Sequence, residues 1–135
     1  MDATTAQVVA LFSTNSDLLD IVRIGLERVG FLAVTAPVRD SRTGTLDLAP
    51  FVDHHRPRVI VYDLVMPYDR NWEFMKHVRE HPIMQGRQFV ITTPNLRAAQ
   101  AVVGRDEQVN EVVSDKDVDA IILAVREALK ARPTR

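Results

Sequence analysis

The sequence predicts an α/β domain, a doubly wound parallel sheet of five strands with helices on both faces. Two observations carry this expectation. Short apolar runs alternate with longer amphipathic stretches along the chain, the pattern of strands joined by crossover helices. The runs are apolar at successive positions, as strands covered on both faces must be. A chain of 135 residues is long enough to bury one real core. Nothing repeats and no linker divides it, so residues 1–135 are read as a single domain, its core running from about 7 to 130.

The first strand is Val8-Val9-Ala10-Leu11-Phe12. Ser13-Thr14-Asn15-Ser16 ends it and offers side-chain caps for a helix. From Asp17 to Val29 the apolar positions Leu18, Leu19, Val22, Leu26 and Val29 recur at helical spacing, and Gly30 suits a helix stop. Phe31 to Ala36 reads as the second strand. In the less regular stretch from Pro37 to Arg58, Thr45 to His55 reads as a short helix, with Pro50 tolerated near its first turn. Val59-Ile60-Val61-Tyr62 is the third strand and ends at Asp63. A helix follows over 71–80, with Trp72, Met75 and Val78 toward the sheet. Phe89 to Thr93 is the fourth strand, Leu96 to Val103 a helix, Glu111-Val112-Val113 a short fifth strand, and Val118 to Ala131 the closing helix.

Composition removes several function classes. Seventeen basic against eighteen acidic residues, with no basic run, give no electrostatic pull toward nucleic acid. The absence of cysteine excludes disulfides, thiolate metal sites and thiol catalysis. The polar start Met1-Asp2-Ala3-Thr4-Thr5 is unlike a signal peptide, and no apolar stretch is long enough to span a bilayer, so a cytoplasmic location with no membrane contact is expected.

In open α/β sheets, chemistry gathers beyond the carboxyl ends of the strands. Those ends supply Ser13 and Thr14, Asp63, Thr93, and Ser114-Asp115-Lys116. The stretch Val61-Tyr62-Asp63-Leu64-Val65-Met66-Pro67 resembles the phosphoacceptor loop of response-regulator receiver domains. Asp17-Leu18-Leu19 opening the first helix and Val125-Arg126-Glu127-Ala128-Leu129 late in the last are also similar to that family, and the resemblance spans about Gln7 to Lys130. It implies the strand order 2-1-3-4-5, Asp63 as phosphoacceptor, and Thr93 as switch hydroxyl. It also implies a Mg²⁺ held by an acidic pair after the first strand, by the phosphoacceptor and by the carbonyl of Val65. A carboxylate at a strand end can attack a phosphoryl group, and cations normally neutralise the charge that develops.

Several positions depart from this pattern. Ser13 and Thr14 stand where the acidic pair belongs, and Mg²⁺ prefers carboxylates, so only weak binding through Asp63 and Val65 is expected. The family's lysine aligns with Ser114 or Asp115, and Lys116 substitutes only if the loop shifts. Tyr68-Asp69-Arg70-Asn71 replaces a Gly-rich loop, with Asn71 suited to a left-handed conformation. Asp17 reads as a charge complementing its helix dipole, and Thr92 as strand filling. His54-His55 with Asp53 read as a solvated helix end, and His77 and His81, four residues apart, lack a third zinc ligand.

The functional expectation is a stand-alone receiver with no enzymatic activity of its own, signalling through protein contacts. In one version Asp63 accepts phosphate from a histidine kinase. In the other the chain is a pseudo-receiver set by its partners alone. The fourth helix, rich in small apolar residues, and the fifth, with Leu123 pointing outward near Ala120 and Glu127, are expected to mediate self-association or target docking. A flavodoxin-like flavin or nucleotide binder is the alternative from another class: the loop Ser13 to Ser16 is rich in hydroxyls, but contains no Gly and no nucleotide-binding fingerprint follows. A hydrolase finds no support, since no nucleophile elbow is present.

Overall fold

The computed structural model describes residues 7–37, 48–104, 106 and 109–130. Five strands, β1 (Val8–Ser13), β2 (Leu32–Pro37), β3 (Val59–Asp63), β4 (Gln88–Thr93) and β5 (Val109–Ser114), form one sheet. Every pairing is parallel and the order is β2-β1-β3-β4-β5, as expected. The helices are α1 (Ser16–Arg28), α2 (Leu48–His55), α3 (Tyr68–Arg79), α4 (Leu96–Val103) and α5 (Val118–Lys130), with a 3₁₀ turn at Pro82–Met84. Thr45 to Asp47 and Ala131, included in the expected helices, lie outside the described residues. No described helix is long and apolar enough to cross a membrane.

Side-chain alternation along the strands divides the core into two layers. Val9, Leu11, Val59, Val61, Val90 and Val113 face α1 and α5, while Ala10, Phe12, Ile60, Tyr62, Phe89 and Ile91 face α2, α3 and α4. β3 and β4 are buried over their whole length, so the strand end that carries Asp63 is held on both sides by paired neighbours.

Two helices differ from expectation. α3 begins at Tyr68, three residues earlier than its apolar pattern shows. Pro67, with φ −76°, sits at its N-cap, and Asp69 adds a favourable charge to the first turn. Asn71 is therefore helical, and Arg56 is the non-glycine residue with positive φ among the described ones. In α5 the apolar spacing assigns Val118, Ile121, Ile122, Val125 and Leu129 to the stripe that packs on the sheet, but the buried positions are Ile121, Ala124, Val125 and Ala128, and Val118, Ile122 and Leu129 are only partly buried. The small residues bring the helix close to the sheet. Val118 and Ile122 turn toward α1, where Gly25 leaves room: a Cβ there would lie 3.0 Å from Val118 Cγ1 and 3.3 Å from Ile122 Cδ1.

Strand ends are tied to their helices by capping side chains. Asn15 Oδ1 accepts from the amides of Asp17 and Leu18, with Asp17 in the first turn of α1. Asn95 Oδ1 accepts from the Ala98 amide, and Asp117 Oδ1 from the Ala120 amide. Gly30 takes φ +96° just past α1, a conformation that suits glycine. At the end of α3, Arg79 forms a two-point ion pair with Asp106, at 2.8 and 3.1 Å, and its guanidinium lies 5.3 Å from the centre of the buried Trp72 ring.

Candidate functional site

Asp63 closes β3 and is only 7% exposed. Its place in the sheet decides its neighbours. Asp63 pairs in register with Thr92, and β1 runs alongside with Phe12 opposite Tyr62, so Ser13, Asp63 and Thr92 form one row on the α1/α5 face. Ser13 Oγ donates to Asp63 Oδ2 at 3.2 Å and Thr92 Oγ1 donates to Oδ1 at 2.7 Å. Ser13 and Thr92 are themselves buried. Each carboxylate oxygen thus accepts a hydroxyl hydrogen bond.

The charge on Asp63 is poorly solvated. Burial raises its pKa to about 6; the Thr92 and Ser13 hydroxyls oppose the rise, and the nearby Asp115 carboxylate adds to it. Behind Asp63 in the strand, burial and then the Asp63 charge push the Tyr62 phenol up to about 12.

Thr93 is fully buried but points to the other face of the sheet, where its hydroxyl accepts from the Asn95 amide at 3.2 Å. The hydroxyl beside the carboxylate belongs to Thr92, which strand composition alone marks as filling. Strand alternation is the reason: a threonine one position from the strand end shares a face with Asp63 only if the register between β3 and β4 makes it so. Thr14 is exposed.

Lys116 is also exposed and is not among the groups that act on Asp63. A tight turn, with the Lys116 amide donating to Ser114 Oγ and the Asp115 amide to the Thr93 carbonyl, keeps the loop close to β4 and presents Asp115 instead. Where the resemblance calls for a cation, this chain brings an anion. His81 Nδ1 accepts from the Ile83 amide and caps the 3₁₀ turn, and Phe51 packs against His55 within α2.

The residues present do not fit a Mg²⁺ ion. Such a site needs several anionic or free carbonyl oxygens in near-octahedral order. Here Ser13 supplies a neutral oxygen whose proton is directed at Asp63, Thr14 stands apart in solvent, and the Val65 carbonyl accepts from Asn71 Nδ2 at 2.8 Å. Asn71 reaches that carbonyl because α3 starts early enough to place it in the first turn. Asp115 lies on the opposite side of the row from Ser13 and Thr14, in the loop after β5. Among the described residues, no group of three His, Asp or Glu side chains is placed to hold a metal ion.

An open, doubly wound sheet in the order 2-1-3-4-5, with a carboxylate ending its central strand, defines a class of small α/β module. Solved structures with this architecture make the class more specific. The chain superposes on a sensor protein from Polaromonas sp. JS666 with a TM-score of 0.75 at 14% identity, over 93% of this chain and 97% of that one. It is similar to a putative response regulator from Chloroflexus aurantiacus J-10-fl, with a TM-score of 0.72, 13% identity, and coverage of 94% and 100%. It is also similar to the chemotaxis response regulator CheY4 of Vibrio cholerae, with a TM-score of 0.71, 18% identity, and coverage of 92% and 99%. No family model matches the sequence, and no curated relative matches it. The chain has the CheY-like receiver-domain fold of response regulators.

Proposed function

We propose that this protein is a receiver-type signalling module that acts through protein contacts and does not depend on phosphorylation of Asp63. The observation that carries this reading is the state of Asp63: 7% exposed, with both oxygens engaged by the Ser13 and Thr92 hydroxyls. A nucleophile must present a free lone pair, and the transition state of phosphoryl transfer needs cations nearby. Asp63 is buried, each of its oxygens already accepts a hydroxyl hydrogen bond, and its neighbouring charge is Asp115 where a cation is needed. The chain is thus a pseudo-receiver, its conformation set by the proteins it binds.

The second reading, phosphorelay from a histidine kinase to Asp63, is favoured by one feature: Asp63 ends the central strand β3, just before the β3–α3 loop. Incubation with acetyl phosphate, with and without Mg²⁺, followed by intact-mass measurement, separates the two. The pseudo-receiver reading expects no phosphoryl adduct under either condition. A Mg²⁺-dependent adduct lost in Asp63→Ala would establish phosphorelay. The same reading expects Ser13→Asp with Thr14→Asp to tighten Mg²⁺ binding, read from Trp72 fluorescence.

The partner-binding surface we assign is the one formed by α4, β5 and α5, either for a second copy or for a signalling protein. Leu123 is 58% exposed on the outer side of α5. An open groove of about 600 Å³ runs between α4 and β5, lined by Gln100, Val103, Asp106, Asn110 and Val112. A flavin is not favoured: the cavity beside the β1–α1 loop holds about 10 Å³, room for one water, and is closed by Leu18, Leu19 and Val22.

A further inference from the structure

Three strands end in the same small device. A terminal hydroxyl accepts from the amide two residues on: Ser13 from Asn15 at 3.0 Å, Thr93 from Asn95 at 3.2 Å, and Ser114 from Lys116 at 3.2 Å. In the first two, that asparagine is the N-cap of the next helix, α1 or α4. Each hydroxyl therefore fixes how its strand enters its helix.

The first and second differ in where the hydroxyl proton goes. Thr93 donates within its own turn, to the Asn95 carbonyl at 3.4 Å, and faces away from Asp63. Ser13 lies in the Asp63 row and donates to Oδ2. Ser13 is thus a member of two networks, donor to Asp63 and acceptor from the capping residue of α1. A serine hydroxyl has one proton to give. Removing the charge of Asp63 weakens what had been a charge-assisted bond, and the Ser13 proton must turn wherever the atom facing it becomes a donor. A small cavity, lined by Leu18, Leu19 and Val22 on one side and by Ser13, Asp63 and Thr92 on the other, lies between the inner face of α1 and this row.

We infer that Asp63 is coupled to the start of α1 through Ser13 and Asn15. Ser13 and Asn15 are positioning residues in this scheme. The coupling goes beyond the proposed function and holds whether the perturbation at Asp63 comes from a partner, a proton or a phosphoryl group.

Amide hydrogen exchange on the full chain tests it. Asp63→Asn should change protection over Leu18 to Val22 by roughly three- to tenfold, the size of one hydrogen bond's net contribution. In a Ser13→Ala background the same substitution should have no further effect on α1, and Ser13→Thr should restore the response. Asn15→Ala keeps the amide that donates to Ser13 but removes the side-chain cap on Asp17 and Leu18, the last link of the relay, and gives the same loss of coupling if Ser13→Ala does not fold. An unchanged α1 in Asp63→Asn, or an α1 response that survives both Ser13→Ala and Asn15→Ala, overturns the inference.

Discussion

At neutral pH the Asp63 carboxylate carries charge where water scarcely reaches it, and two hydroxyls do not replace a hydration shell. Its pKa, raised from 3.8 to about 6, makes the folded state the tighter proton binder. The sign follows directly. Stability from this group is fully present below its unfolded value and is lost as pH rises through about 6, amounting to up to about 3 kcal/mol. Asp63→Asn keeps an acceptor for one hydroxyl and cannot ionise. It should therefore raise stability at pH 7.5 by about 1–3 kcal/mol and leave it nearly unchanged at pH 4, as read from urea midpoints. Equal effects at both pH values would show that Asp63 is not held as described. The sequence pointed to Asp63 because a buried run ends there and Met66-Pro67 follows. It placed Asp115 at a strand end and named Asn71 and Thr92, but not the roles they take, because each role comes from geometry that no local pattern encodes: the path of a loop, the true start of α3, and a strand register.

The contact between α1 and α5 rests on Gly25, and there two effects oppose each other. Alanine would favour the helix by up to about 1 kcal/mol. Its methyl would also press on Val118 Cγ1 at 3.0 Å, and a β-branched side chain has little freedom to turn away. Overpacking should win, with Gly25→Ala costing about 1 kcal/mol, and Gly25→Ala with Val118→Ala should recover most of the loss in urea melts. Most elements could be read from periodicity, yet no local pattern marks Gly25 as the point where a second helix approaches. The stripe assigned to α5 gave weight to large apolar residues and overlooked Ala124 and Ala128, which are buried because close helix–sheet packing selects small side chains. Apolar size and burial diverge wherever two elements approach closely.

Parallel pairing and helices on two faces were legible from alternating elements and right-handed crossovers, which leave few ways to build such a domain, and the receiver resemblance supplied the strand order. What a fold of this kind does with its surface was less so, and Leu123 is the point to probe. Leu123→Glu should weaken self-association or partner capture in sedimentation while shifting stability by less than about 0.5 kcal/mol, as expected of an exposed position. A monomer at every concentration, unchanged with any signalling partner tested, would remove this face from consideration. The position of β1 carries a different consequence, one that concerns synthesis. The first of the five strands to leave the ribosome lies between β2 and β3, and the helix that covers its Val9 and Leu11 together with α1 is α5, made last of the five helices. A nascent chain halted before Val118 can pair all five strands, yet Val9, Leu11, Val61, Val90 and Val113 would lack half their cover. Such chains should be held by chaperones and cut by proteases, and both should cease once α5 emerges and docks.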